Sequence, residues 1–528
     1  IGRFGTGAFT QTGGTNTVGT LTINNGAYTL SGGTLTVSTS MDNGGVFNLA
    51  GGTLTGGGAL ANNGLFSGFG TIAGNGGFIN NGLLTQSGGN LTLANSGANA
   101  NYGNMDLAGG YQLRLSGATL NNSGTVNLNG ALVTGGTLAN EIGGNIVGRG
   151  SITSNFSNAG NLAVAGGTLN ISKPFTNSGA IQLTGAGSTL AGGAIANAGT
   201  IQGSGNVANS ITNTGVIDAV NGIVSLSGTV TNASAGTMRT STGSKILVAN
   251  GMNANAGLIS LAGGTFDTNG TALTNNGRIA GYGVFATGGL SNTGNMTLSG
   301  GTATVNGNVT NQIGAKIEVA QTPAVFTGNV VNNGIFKTTN TTVTFVGSYT
   351  ENGAYISDPS TNHFSDLHIG ATGYLVGGAG DEWHTSGTFR NNSQQNTLWN
   401  TSDASLFLNG SGSRDFYLAG SDLGALSSGY TDNFAWGEFS LGSGVSVNIL
   451  DGNAASGAAL YVGLFELDGG MTQLNNIFSD YNIYYNPQLA GNAYLNDQTF
   501  NLNGEGFLMP ASSVMLGDTN GDKVVDAA

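Results

Sequence analysis

The sequence predicts an all-β protein, a parallel β-helix (β-solenoid) of coils about 19 residues long with a less regular β region toward its C-terminal end. Three observations predict it. A short motif, N-x-G-x-Φ with Φ a large apolar residue, recurs at near-constant spacing. Between its glycines apolar residues alternate with small polar ones, the period of a half-buried strand. Helix formers are scarce while Gly, Thr, Asn and Val abound.

The motif is plainest at Asn213-Thr214-Gly215-Val216-Ile217. Its glycine marks 19 positions from Gly7 to Gly353, so 346 residues hold 18 intervals and the mean period is 346/18, about 19. Two positions after the marker the residue is large and apolar in 18 of 19 cases, from Phe9 and Tyr28 to Phe336 and Tyr355; Lys316 is the miss, with Ile317 one place on. Two positions before the marker it is Asn in 14 of 19, as at Asn62, Asn80, Asn177, Asn275 and Asn332. A second glycine often follows six positions later, as at Gly32, Gly51 and Gly88. Gly supplies the positive-φ conformations that tight corners need, and Asn tolerates them. Each coil is therefore two or three short strands joined by corners. No coil buries its apolar face alone; stacking in parallel register closes a core, pairs the backbone donors, and lets Asn at matching corners form amide ladders. At about 4.8 Å per coil, the 18 intervals predict a rod of roughly 85 Å. Competing readings are a Gly/Asn/Ser/Thr-rich disordered tract and a hairpin-rich β-sandwich or barrel. Neither keeps an apolar residue in phase with a glycine over so many units.

Composition narrows the function classes. Gly is 97 of 528 residues but Pro only 5, without G-X-Y triplets, which excludes collagen. Charged residues are 7%, as expected of faces that are polar but uncharged. There is no cysteine, hence no disulfide, thiolate metal site or cysteine nucleophile. No run of 18 apolar residues predicts a membrane-spanning helix. The chain begins at Ile1, which suggests a processed or truncated terminus. A long, low-charge, disulfide-free repeat points to a secreted or bacterial cell-surface location.

Along the chain, residues 1–353 form the regular rod. Residues 1–22 already make a coil with no polar cap before it, an open strand edge that a second copy of the chain or a missing cap would cover. Charges in 1–353 are nearly balanced, 9 basic against 7 acidic. Residues around Pro323 read as a side loop or a variable coil. In 354–510 the motif fades but the alternation persists, as in Val445-Ser446-Val447-Asn448-Ile449, so this region is an irregular β continuation or a distinct β cap. It holds all three tryptophans and nine of fourteen tyrosines. The aromatic run Ile483-Tyr484-Tyr485 either closes the core or meets a partner.

Residues 511–528 form a tail with the sharpest chemical motif. Asp518, Asn520, Asp522 and Asp526 stand at loop positions 1, 3, 5 and 9, with the Val524 carbonyl at position 7, an oxygen-ligand spacing for Ca²⁺. The stretch resembles the calcium loop of dockerin modules and EF-hands. It departs from them at Lys523, where the EF-hand has Gly, and the position-12 acid would be residue 529.

The repeats themselves, as in Gly7-Ala8-Phe9-Thr10-Gln11-Thr12-Gly13-Gly14 and the N-x-G-x-Φ corners, resemble bacterial autotransporter-associated β-strand repeats and the filamentous-haemagglutinin type of parallel β-helix, over about residues 1–353. The resemblance implies an extracellular passenger-like stalk with adhesion or matrix roles, and no catalytic residue.

Two function classes follow. One is a structural protein that polymerises head to tail into a surface filament or matrix fibre, its partner another copy of itself. The other is a monomeric adhesin whose 354–510 region binds surface glycans, which rows of exposed Trp or Tyr would support. An enzyme is not expected. The acids of the regular region never recur at one period, and only Asp381, Glu382 and His384 cluster. His363, His368 and His384 read as surface residues rather than a metal site. An acidic chain without a basic patch is not expected to bind nucleic acid.

Overall fold

A computed structural model describes residues 1–454 and 457–511, and the chain divides into two compact units, Ile1–Met252 and Asn253–Ala528. Each unit is a stack of parallel β coils, as the repeat predicts. The described residues contain no α-helix, only three short 3₁₀ turns, the longest of six residues.

In the first unit each coil has three inward faces. One column of buried residues runs Leu162, Ile181, Ile201, Ile217 and Met238, in parallel register from coil to coil. A second runs Leu169, Leu190, Val207, Leu226 and Val248. The third, carried by three-residue strands, runs Phe175, Ile195, Ile211 and Val230. The first two faces often belong to one long strand, such as Asn161–Ile171 or Ala180–Gly192, that bends at an internal glycine corner. The rings of Phe9, Tyr28, Phe47 and Phe66 stack coil on coil at 5.0, 5.5 and 5.1 Å between centroids.

The motif asparagines turn inward and form a ladder. Asn43 Nδ2 donates to Asn62 Oδ1, and the same bond repeats through Asn80, Asn101, Asn122, Asn140, Asn158, Asn177, Asn197, Asn213 and Asn232, at 2.7–2.9 Å throughout. Most of these amides also donate to a backbone carbonyl of the next coil, as Asn62 does to Leu83. All are buried. A buried amide is tolerated only when its donors and acceptors are matched, and the ladder matches them by repetition. Its first member shows the polarity: Asn43 lies beside Ile23 in the preceding coil, and Asn43 Oδ1 has no donor.

Two ladder members break the consensus spacing for a local reason. At 140–144 and 232–236 the corner carries two extra residues, so Asn140 and Asn232 stand four places before the marker rather than two. The extra residues make a turn, closed by Gly144 N–H to the Glu141 carbonyl and Gly236 N–H to that of Ala233.

Corners also absorb differences in coil length. At Gly68-Phe69-Gly70 and Gly148-Arg149-Gly150 the register between strands slips across the corner. The bulky middle side chain then lies over a Gly-Gly pair of the next coil. A Cβ on Gly89 would come within 2.7 Å of the Phe69 ring, and one on Gly167 within 3.2 Å of Arg149 Cδ.

The second unit repeats this plan. Its ladder runs Asn255, Asn275, Asn292, Asn311 and Asn332 at 2.7–2.8 Å. Tyr282, between Gly281 and Gly283, covers Gly300 and Gly301. Here too an extended corner, at 311–315, explains the anomaly at Lys316: Ala315 takes the marker position, and Ile317, two places on, is fully buried. The residues around Pro323 are no side loop. Ala324–Phe326 pairs in register with Ala303–Val305 on one side and Val343–Phe345 on the other.

The second unit's ladder ends at Glu351, whose carboxylate accepts from Asn332 Nδ2 at 2.8 and 2.9 Å, Tyr349 Oη at 2.9 Å and the Gly353 N–H at 2.7 Å. Burial pushes this carboxyl up to about 8 in spite of those donors. Its neighbour in the next coil is Ile369.

Farther on, coils widen. In-register partners are 19 residues apart at Phe345 and Phe364, 33 apart at Leu406 and Phe439, and 26 apart at Phe439 and Phe465. The wider interior is filled by aromatics. Trp383, Trp399 and Trp436 are buried, with Trp436 5.5 Å from Trp383 and 6.0 Å from Trp399. Ile483, Tyr484 and Tyr485 are buried as well, so this aromatic run closes the core. Among the described residues, the antiparallel pairings are Phe500–Asn501 with Phe507–Pro510 and an isolated bridge between Ser421 and Ala458.

Candidate functional site

The calcium-loop residues Asp518, Asn520, Asp522, Val524 and Asp526 lie outside the described residues. The other candidates lie on the second unit, where strands Ala354–Ile369 and Glu382–Thr385 run side by side. Strand alternation decides which side chains meet. Asn362, Phe364, Trp383 and Thr385 point into the core, which leaves Thr361, His363, Glu382 and His384 on the outer face.

On that face His363 and His384 lie 4.7 Å apart between ring centroids, and His384 stacks on Phe407 of the following coil at 4.5 Å. His384 Nε2 is 3.0 Å from Glu382 Oε2. Its Nδ1 is 2.6 Å from Asn409 Nδ2. An amide nitrogen donates, so Nδ1 accepts and Nε2 carries the proton toward Glu382. Thr361 Oγ1 donates to the same Glu382 oxygen at 3.2 Å, so this hydroxyl is not aimed at an imidazole base. Burial, and then the adjacent His384, push the His363 imidazole down. Asp381 is not part of this group. It is buried, and its two oxygens accept the Ser360 and Gly378 N–H groups at 2.8 and 2.9 Å, a clamp on a corner. His368 sits on another face, beside Arg390. Among the described residues, no group of three or more His, Cys, Asp or Glu is arranged to hold a metal ion.

Two acids escape the sequence reading. Glu438 follows Ser405 and Glu382 in register, accepting from Ser405 Oγ at 2.7 Å, and Glu466 follows Ser440 one column over. Burial, then the Glu438 carboxylate, push Glu466 up. They meet because the coil between them is longer than the repeat. No fixed period places 438 beside 466.

A cleft of about 310 Å³ opens where the regular coil is first interrupted, between residues 397–402 and 430–435. Trp399 and Phe434 form its inner wall, 5.2 Å apart and edge to face. Trp399 Nε1 donates to Thr401 Oγ1 at 2.7 Å, and Thr401 Oγ1 to the Ala435 carbonyl at 2.6 Å. Asn433 holds Ser421 through both its amide groups, at 2.8 and 2.9 Å, and Asn396 Nδ2 holds the Asp432 carbonyl at 3.0 Å. Asp432 and Phe434 both have positive φ, 50° and 59°. For a bulky residue such as Phe434 this is a strained conformation that the surrounding bonds must enforce. The tryptophans do not form the exposed row that a sugar-stacking surface would need: Trp383, Trp399 and Trp436 are 0, 6 and 2% exposed.

No helix among the described residues is long and apolar enough to cross a membrane. No protein-family model, curated protein or solved structure matches this chain.

Proposed function

We propose that this chain is a structural protein of a bacterial surface or extracellular matrix, a β-solenoid that associates head to tail into fibres. The observation that carries this reading is where the polar chemistry goes. The amides and the fully buried Glu351 are consumed in ladders that bind coil to coil, and the outer faces of the regular coils are small, polar and almost uncharged. Such a molecule is suited to bear load and to present length rather than to transform a substrate, and no catalytic role is part of the proposal. The mode of association follows from the stacking itself. Parallel strands of successive coils pair edge to edge through their backbones, and strand addition between copies of the chain would extend the same pairing. Sedimentation velocity and negative-stain microscopy of the full chain over a wide concentration range test it. Fibres that lengthen with concentration are expected; a monomer at every concentration overturns the assembly.

The tail belongs to this proposal. Asp518, Asn520, Asp522, Val524 and Asp526 supply the hard oxygen donors that Ca²⁺ takes. Calorimetric titration of Ca²⁺ into the full chain, against Asp518→Ala, is expected to show binding only in the unsubstituted chain.

The second reading, an adhesin with its binding region in 354–510, is favoured by one observation, the polar cleft at 397–435.

A further inference from the structure

We propose that the cleft between residues 397–402 and 430–435 binds one neutral saccharide residue. The proposal goes beyond the structural role and does not depend on it. Three features of the cleft point the same way.

The first is its lining. Asn400, Ser402, Thr397 and Thr431 bring neutral donors and acceptors, Asp432 brings one carboxylate, and the buried Trp399 shows only its edge at the floor. Among the described residues no Lys, Arg or His lines it, so nothing there neutralises a phosphate, sulfate or carboxylate ligand. A lone carboxylate is too few hard ligands for a divalent cation. The mainly polar wall does not suit an acyl chain. A polyol remains: hydroxyls that give to a carboxylate and exchange bonds with amides and alcohols, and C–H faces that rest on an indole edge.

The second is preparation. A strained φ at Phe434 and a left-handed φ at Asp432 are held by bonds from Asn433, Asn396 and Thr401. The wall is thus set before any ligand arrives, which lowers the ordering cost of binding a small, weakly held molecule. The same turn seats the buried Phe434 ring against Trp399 and shapes the wall that carries Asp432.

The third is size. About 310 Å³ is at the small end of ligand sites, roughly 300–1,000 Å³. That suits a single sugar ring, terminal or branching from a longer glycan.

The test uses the full chain and four probes: methyl glycosides of glucose, galactose and mannose, and N-acetylglucosamine. Saturation-transfer NMR and calorimetry are read on the unsubstituted protein, on Asp432→Asn and Asn400→Ala, and on Asp358→Asn as a control outside the cleft. Asn accepts a left-handed φ as readily as Asp, so Asp432→Asn retains the fold, which an unchanged melting curve verifies. At least one probe is expected to bind. Its Kd should rise about tenfold or more in Asp432→Asn, the loss of one charge-assisted hydrogen bond, and stay the same in Asp358→Asn. Absence of transfer to all four probes overturns the proposal. So does binding that neither Asp432→Asn nor Asn400→Ala weakens, which would place the sugar elsewhere. Fibre growth is a separate readout, so a failure here is not a failure of the structural reading.

Discussion

Asn332 Nδ2 donates to both carboxylate oxygens of Glu351, at 2.8 and 2.9 Å, and with that contact the second unit's amide ladder closes. The choice of residue has a physical reason. Every Asn passes one N–H to the next coil. An Asn at 351 would offer that N–H to the side chain of Ile369, which has no acceptor. A carboxyl group receives the last donor on its oxygens and, unlike an amide with its two N–H groups, carries at most one proton of its own.

The end residue makes stability depend on pH. Burial raises the folded-state carboxyl from 4.5 to about 8. Below pH 4.5 the acid is neutral in both states and its contribution to stability is complete. As pH rises toward 8 the unfolded chain gains a solvated charge that the folded site resists, so stability falls. Urea midpoints of the second unit's transition should decline between pH 5 and 8. Glu351→Gln should flatten that decline, while leaving a buried N–H that lowers stability by about 1–3 kcal/mol at pH 5. An unchanged pH slope in Glu351→Gln would refute the assignment.

Within a ladder each amide serves two neighbours. Asn177→Ala strips the acceptor from Asn158 Nδ2 and the donor from Asn197 Oδ1. Two orphaned buried groups and a small cavity should cost about 3–5 kcal/mol. Hydrogen exchange should quicken first at the coils on either side of residue 177.

Glycine is required at some corners and merely permitted at others. A Cβ on Gly281 would fall 1.8 Å from the Leu261 carbonyl oxygen, at φ +107°. Gly281→Ala should lower stability by about 2 kcal/mol or more. A Cβ on Gly187 meets nothing within 4 Å. Gly187→Ala should change stability by less than about 0.5 kcal/mol. Thermal melts of the two variants side by side check the contrast.

Arg414 is buried without a carboxylate, its guanidinium bonded to the carbonyls of Thr385, Asn409 and Ser411. Burial pushes its pKa down. Arg414→Lys retains the charge but loses the planar fork that reaches several carbonyls at once, and should destabilise the second unit by about 1–3 kcal/mol. A melting point equal to that of the unsubstituted protein would show that the fork is dispensable.

Much of the stack was legible from residues alone, because a solenoid writes its contacts into a period. Phe47 lies on Tyr28 since both stand two places after a marker glycine, and Asn62 meets Asn80 for the same kind of reason. Reading failed where corners changed length. Asn140, Asn232 and Asn311 slipped out of phase because their corners bulge, and Glu351 stands in an asparagine's place. The candidate site was less legible. His363, His384 and Glu382 could be picked out as residue types, but which of them meet depends on the pairing of two strands. Glu438 beside Glu466, and Trp399 against Phe434, arise from insertions of irregular length that carry no period.

By itself, then, the sequence determined the parallel stacking, the apolar columns and the amide ladder, since each follows from local alternation repeated at one spacing. The tertiary structure alone decided that a coil has three faces, that the tryptophans turn inward, that a carboxylic acid ends the second ladder, and that a polar cleft opens at 397–435. Those outcomes depend on which distant residues a widened coil brings together, and no short-range pattern encodes that.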